Sequence, residues 1–303
     1  MHVVLDILLL LGKLFLCYCR AFVRLFYKPK KDISGRTAVL TGGGGGIGRF
    51  IAQELAQRKV RIALWDINKA AVEKVKNELN ELGYSSIFTY QCDITNKEQV
   101  QQVAAETRRD LGEIDFLFNN AGILIGKDIL DLSDEEIRKT FEVNIISQFW
   151  TIREFLPHMV KKNYGHIVNT ASMAGRVGVA WLTDYCASKF GVVGLSDSLR
   201  FDLHRKGKDG VKVTAICPFF VNTPLVTNTT PHCRPYSRFD KFLEADYVAK
   251  AIVEGMETDE FTVYCPPKMY TAYIASVLLP SGAANFTNDF AKSGFFPKDM
   301  KLD

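Results

Sequence analysis

The chain is 303 residues long, 47% apolar and 24% charged, which excludes a disordered, collagenous or small disulfide-stapled protein. Its formal charge of +4 is split: residues 1–31 carry Lys13, Arg20, Arg24, Lys28, Lys30 and Lys31 against Asp6, while the other 272 residues hold 32 basic and 33 acidic groups. That neutral body argues against nucleic-acid binding as a main role, and seven cysteines without a CxxC pair give no zinc or other metal signature and suit a reducing, cytosol-facing location.

Residues 3–27 are dominated by Leu, Val, Ile, Phe, Cys and Tyr. A cleaved signal peptide fits poorly, because the first residues carry no Lys or Arg and no small-residue cleavage site follows the apolar run. The length suffices to span a hydrocarbon core, but Asp6 and Lys13 interrupt it. Asp6, Lys13 and Arg20 recur every seven residues and Arg24 follows four later. At roughly 100° per residue these four form one narrow stripe on a helix. A polar stripe beside a wide apolar arc suits a helix lying in a membrane interface, with Lys28, Lys30 and Lys31 on the cytosolic side. A full span and a core helix remain open as alternatives.

From residue 37 apolar strand patterns alternate with helical ones. Strands are predicted at Thr37–Thr41, Val60–Trp65, Ile87–Gln91, Phe116–Phe118, His166–Asn169, Val211–Ile216 and Phe261–Tyr264. Helices are predicted at Ile47–Arg58, Asn68–Leu82, Asn96–Leu111, from Ser133 to about Lys161, at Asp184–Lys206 and at Ala245–Met256. Such alternation predicts one α/β Rossmann-type domain, a doubly wound parallel sheet covered on both faces, over residues 34–265. The leader 1–31 reads as a membrane-anchoring helix, and 266–303 as an apolar C-terminal helix and tail. Residues 223–244, with three prolines, read as an irregular flap.

The first strand runs into Thr41-Gly42-Gly43-Gly44-Gly45-Gly46-Ile47-Gly48, which opens a helix. Glycines there permit a tight turn and close approach to a pyrophosphate, and the helix N-terminus offers N–H groups to phosphate. Gly42, Gly46, Ile47 and Gly48 are the candidate contacts. The next strand ends at Asp66, an acid placed to accept from both adenosine ribose hydroxyls and to repel a 2′-phosphate. NAD is therefore expected rather than NADP, although Lys69 is near enough to soften the discrimination.

Several separated motifs together resemble the short-chain dehydrogenase/reductase family over residues 37–265. They are TGGGGGIG at 41–48, Asp93 in CDI, NNAG at 119–122, Asn144, Ser172 and YCASK at 185–189. The resemblance implies that Tyr185 is the general acid/base and that Lys189 lowers its pKa and holds the nicotinamide ribose. It implies that Ser172 binds the substrate oxygen, and that Asn144 anchors a water linked to the lysine. It assigns Asp93 to the adenine pocket, Asn119, Asn120, Ala121 and Gly122 to the cofactor wall, with Asn119 also supporting the sheet, and Pro218, Val221 and Thr223 to the nicotinamide end. Phe219 stands where family members usually have glycine.

Further segments, including LDILLLL at 5–11, KTFEVNI at 139–145 and CPFFVNT at 217–223, are similar to membrane- and lipid-droplet-associated retinal and 17β-hydroxysteroid dehydrogenases of the family. They imply a lipophilic alcohol or its carbonyl partner as substrate, retinoid or hydroxysteroid. They also imply an endoplasmic reticulum or lipid-droplet surface as location, and a homodimer formed through the helices at 134–161 and 184–206. Phe219, Phe220, Trp181 and Leu182 are candidates to line an apolar pocket, and 268–286 to cover it or dip into lipid. An NADPH-dependent carbonyl reductase and a droplet scaffold with vestigial catalysis are the alternative readings.

Overall fold

Seven of the apolar runs become strands of one parallel sheet. In the computed structural model, which describes residues 2–227, 233–237, 241–280, 282, 283, 285, 286, 289 and 294–297, the strands are β1 (Thr37–Thr41), β2 (Arg61–Asp66), β3 (Ile87–Gln91), β4 (Phe116–Asn119), β5 (Gly165–Thr170), β6 (Val211–Pro218), β7 (Cys233–Tyr236), β8 (Thr262–Cys265) and β9 (Gly294–Pro297). The large sheet has the order β3-β2-β1-β4-β5-β6-β8, and β7 pairs with β9 in a separate antiparallel ribbon. Parts of the predicted flap and of the C-terminal tail lie outside the described residues.

The helices are α1 (His2–Phe26), α2 (Gly46–Gln57), α3 (Lys69–Glu81), α4 (Lys97–Leu111), α5 (Asp134–Phe141), α6 (Ser147–Lys162), α7 (Thr183–Arg205), α8 (Pro224–Thr227), α9 (Ala245–Glu257) and α10 (Lys268–Leu278). Strand side chains alternate between faces, and here both faces are apolar. Leu40, Leu64 and Phe118 pack with Ile51 and Leu55 of α2, Val72 of α3 and Ile252 of α9. Val39, Trp65 and Leu117 pack on the other side with Val103 of α4, Phe155 and Met159 of α6 and Leu203 of α7. This two-sided core is the predicted doubly wound architecture. The strand order reverses between β1 and β4, and in such sheets the crevice beyond the strand C-termini at that point receives ligands.

Two compact units divide the chain, Met1–Asp32 and Ile33–Asp303. Within the first, α1 leaves Leu8, Phe15 and Phe22 exposed; the Arg20 side chain, part of the predicted polar stripe, lies outside the described residues. Among the described residues no helix is long and apolar enough to cross a membrane.

The predicted single helix from Ser133 to Lys161 is interrupted. Ser133 caps it through a reciprocal pair with Glu136, but Glu142–Ile146 forms a π turn between α5 and α6. Gln148 Nε2 donates to Asn144 O at 2.9 Å and Ser147 Oγ to Val143 O at 2.7 Å. These side chains supply donors to carbonyls in and beside the altered turn. Apolar periodicity does not reveal one extra residue in a turn.

Candidate active site

The glycine-rich turn leaves β1 at the switch point. Gly42 has φ +66° and its Cβ position lies 2.8 Å from Ala121 Cα, so both conformation and space require glycine. Gly48 faces inward: a Cβ there would collide with the Gly42 carbonyl. Asn120 fixes this turn to β4, donating from Nδ2 to Thr41 O and Gly42 O, each at 3.2 Å. Helix α2 then opens on Gly45 with no side-chain cap, so its first amides stay open to an anionic ligand.

A cavity of about 800 Å³ lies over this turn. Gly42, Gly46, Ile47, Asp66 and Asp93 line it, as do Asn120, Ala121, Gly122, Pro218, Val221 and Thr223, together with Ser172, Tyr185 and Lys189. Gly48 and Asn144 are not in the wall; they support it from behind.

Asp66 ends β2, and its carboxylate accepts from Gly44 N and Asn68 N, both at 3.0 Å. The acid is thus tied to the glycine turn on one side and to the start of α3 on the other. Asp93 Oδ1 accepts from Thr95 N at 3.0 Å and Thr95 Oγ1 at 2.7 Å, shaping the loop at the same end of the cavity. These features fit a dinucleotide: open amides for pyrophosphate, and a carboxylate at the edge for a ribose.

At the other end, α7 presents Tyr185 and Lys189 one turn apart. Lys189 Nζ donates to Thr170 O at 2.8 Å and lies 5.5 Å from the Tyr185 ring centroid. Both residues are buried, at 7% and 3% exposure. Burial pushes the Tyr185 phenol up to about 12, opposed by its hydrogen bond with Ser172. Burial brings the Lys189 ammonium down to about 8. Desolvation of the phenolate dominates, and the opposing pull comes from Ser172 and not, as expected, from Lys189.

Asn144 is fully buried in the π turn. Its Nδ2 donates to Ile123 O and Ser188 Oγ, each at 3.0 Å, and its Oδ1 accepts from Ile123 N at 2.8 Å. Both amide hydrogens are thus committed to protein, and the side chain clamps the strand exit at Ile123. The Cβ position of Gly122 lies 3.2 Å from Asn144 Oδ1 and 3.4 Å from Lys189 Nζ, so the amide oxygen and the ammonium meet behind one glycine. Asn119 and Asn169 form a buried ladder behind the site. Asn119 Nδ2 donates to Asn169 Oδ1 at 2.9 Å, Asn119 Oδ1 accepts from Thr151 Oγ1 at 2.7 Å, and Asn169 Nδ2 donates to Ser196 Oγ at 3.0 Å.

Phe219 does not enter the positive-φ region, and its N–H donates to Cys265 O at 2.7 Å. The turn after β6 therefore needs no glycine. Phe219, Phe220 and Leu182 line the cavity with Leu124, Val179 and Val226; Trp181 packs against the cluster that includes Leu182. None of the described residues of 268–286 lines it, whereas Phe295 of the tail does. The sequence held no signal for Phe295, for the Thr170 carbonyl or for Ser188, because each enters through tertiary contact alone.

A cleft with an open-amide cradle at one end and an apolar chamber at the other is the layout of a nicotinamide-dependent oxidoreductase acting on CH–OH groups. The chain belongs to the short chain dehydrogenase family, whose model matches residues 36–234. It is 37% identical over 281 residues to estradiol 17-beta-dehydrogenase 11 of Macaca fascicularis, covering 92% of this chain and 91% of that protein. It is 33% identical over 276 residues to epidermal retinol dehydrogenase 2 of Mus musculus, covering 91% and 88%. A short-chain dehydrogenase/reductase from Burkholderia phymatum solved in complex with NAD superposes with a TM-score of 0.72 at 28% identity, covering 80% of this chain and 93% of that one.

Proposed function

We propose that the protein is an NAD-dependent dehydrogenase of lipophilic alcohols, retinoid or hydroxysteroid in kind, working at a membrane or lipid-droplet surface. The observation that carries this reading is the position of Tyr185, Lys189 and Ser172, where the dinucleotide cradle meets the apolar chamber. Bound NAD supplies the hydride acceptor. The chain's own residues handle the proton. Ser172 holds the substrate oxygen, Lys189 stabilises the Tyr185 phenolate, and that phenolate takes the hydroxyl proton as the carbinol C–H bond breaks, becoming the neutral phenol. In the reverse direction Tyr185 returns that proton to the carbonyl oxygen. Asn144 keeps Ile123 and the lysine pocket in register.

Asp66 supports NAD, since its carboxylate is fixed at the cradle's edge where a 2′-phosphate would meet like charge. Residues 1–31 hold the enzyme to the lipid surface through the apolar arc of α1, whose exposed leucines and phenylalanines suit an interfacial helix. Residues 34–265 carry the chemistry, and Phe295 of the tail completes the chamber. Ile146, Phe149 and Phe190 are exposed on the helices expected to pair two copies.

The deciding experiment is a panel of retinols and hydroxysteroids in liposomes, with NAD and NADP, using the full chain and Tyr185→Phe. Oxidation with NAD that the variant loses is expected. No turnover by the wild type, or full turnover by the variant, sinks the reading. A second reading, NADPH-dependent carbonyl reduction, draws on the high Tyr185 pKa, which favours the acid form; tighter binding of NADPH than of NADH would establish it.

A further inference from the structure

The family model stops at residue 234, so the dinucleotide cradle and the Ser172, Tyr185 and Lys189 trio lie inside the part shared with the family, and β9 lies beyond it. Yet β9 reaches the reacting end of the cavity. It runs antiparallel to β7, with Phe295 opposite Pro235 and Gly294 opposite Tyr236. This pairing carries Phe295 to 1% exposure in a cluster with Leu182, Tyr185 and Val226. The Phe295 ring stands edge-on to Phe220, with centroids 5.4 Å apart and planes at 82°. Phe220 is braced in turn by Phe242, also at 5.4 Å.

We propose that Phe295 is a specificity-determining residue: the Phe295–Phe220 corner limits the bulk that a substrate carries beside its carbinol carbon. The proposal rests on the alcohol dehydrogenase reading and adds which alcohols pass. An apolar pocket discriminates by the space it leaves, and even one methylene changes selectivity about 10-fold or more. A phenyl ring in the same cluster and cavity wall as the acid/base tyrosine exerts that control at the reacting end of the chamber. A slim primary allylic alcohol fits the corner; a hindered secondary alcohol meets the ring. Because the Phe295 side of the corner comes from a strand of the tail, part of the selectivity is set apart from the chemistry, which the family-matched segment supplies.

The test compares kcat/KM of the full chain for retinol and for a hydroxysteroid in liposomes, in wild type, Phe295→Ala and Phe295→Trp, with NAD affinity measured alongside. Phe295 lies away from the cradle, so NAD affinity should hold. Phe295→Ala should raise the ratio of hindered to slim alcohol by about 10-fold, and Phe295→Trp should lower it. If Phe295→Ala fails to bind NAD and so to fold, the Phe295→Trp ratio decides. A wild type active on either alcohol with an unchanged ratio in the folded variants overturns the role of Phe295 alone. A wild type inactive on both overturns the alcohol reading and this proposal with it.

Discussion

Lys189 reaches from α7 to the end of β5, donating to the Thr170 carbonyl at 2.8 Å, while its ammonium lies 5.5 Å from the Tyr185 ring centroid. Each of the two neighbours is pushed by burial toward its uncharged form. The pair is therefore poised to exchange charge within a dry site, and its titration is the first thing to measure.

The stability consequence has a definite sign. Lys189 is held at about 8 in the fold against 10.5 ordinarily, so between those values the unfolded chain binds the extra proton and folding gains stability as pH rises. Lys189→Met removes this dependence. Wild type should gain on the order of 3 kcal/mol of stability over the variant as pH rises from about 8 to 10.5. Denaturant unfolding without nucleotide across that range reads it; a constant gap would be contrary to the burial argument.

Catalysis should follow Tyr185. Its phenol, up at about 12, is protonated at neutral pH, and alcohol oxidation needs the phenolate. Oxidative kcat/KM should rise with pH across the neutral range and go on rising past about pH 8 toward that value, while carbonyl reduction stays level. Tyr185→Phe should cost about 10³-fold in kcat/KM and leave NAD affinity unchanged. A flat oxidative profile would remove Tyr185 as the base.

Replacing Asp66 by Ala frees Gly44 N and Asn68 N and removes the charge at the cradle's edge. NAD affinity should fall roughly 10-fold or more, as expected for losing hydrogen bonds to a charged group, and NADP affinity should rise relative to it. Calorimetric titration of both nucleotides checks this; an unchanged ratio assigns Asp66 to the turn alone.

Asn144→Leu should leave the Ile123 N–H and C=O without their side-chain partner. The cost is about 2–3 kcal/mol, read as a lower unfolding midpoint, with activity reduced further because the Lys189 pocket shares Gly122. Equal stability would make the clamp dispensable.

Much of the fold was legible because local chemistry and long-range packing agree. The strand Ile87–Gln91 matches its predicted bounds, and Asn68, Asn96 and Ser133 cap helices where the sequence placed their starts. The cavity gathers residues from five of the six family motifs, Asn144 lying behind the wall, because they converge at the C-terminal edge of one parallel sheet. Other features have no local signature. The π turn at Asn144 keeps helical periodicity on both sides, and the β7–β9 ribbon joins segments about sixty residues apart. The pKa of Tyr185 depends on burial, which a Tyr-x-x-x-Lys spacing does not state.

Helix α2 opens without a side-chain cap, while α3, α4 and α5 each have one. The amides left open there are satisfied by water or by a phosphate-bearing ligand. A dinucleotide binds the folded chain and not the unfolded one, so it raises the melting temperature by mass action. Occupancy then also shields the chain from proteolysis. Nucleotide supply and enzyme half-life become two readings of one equilibrium, and a cell short of the coenzyme would lose the catalyst along with the reaction.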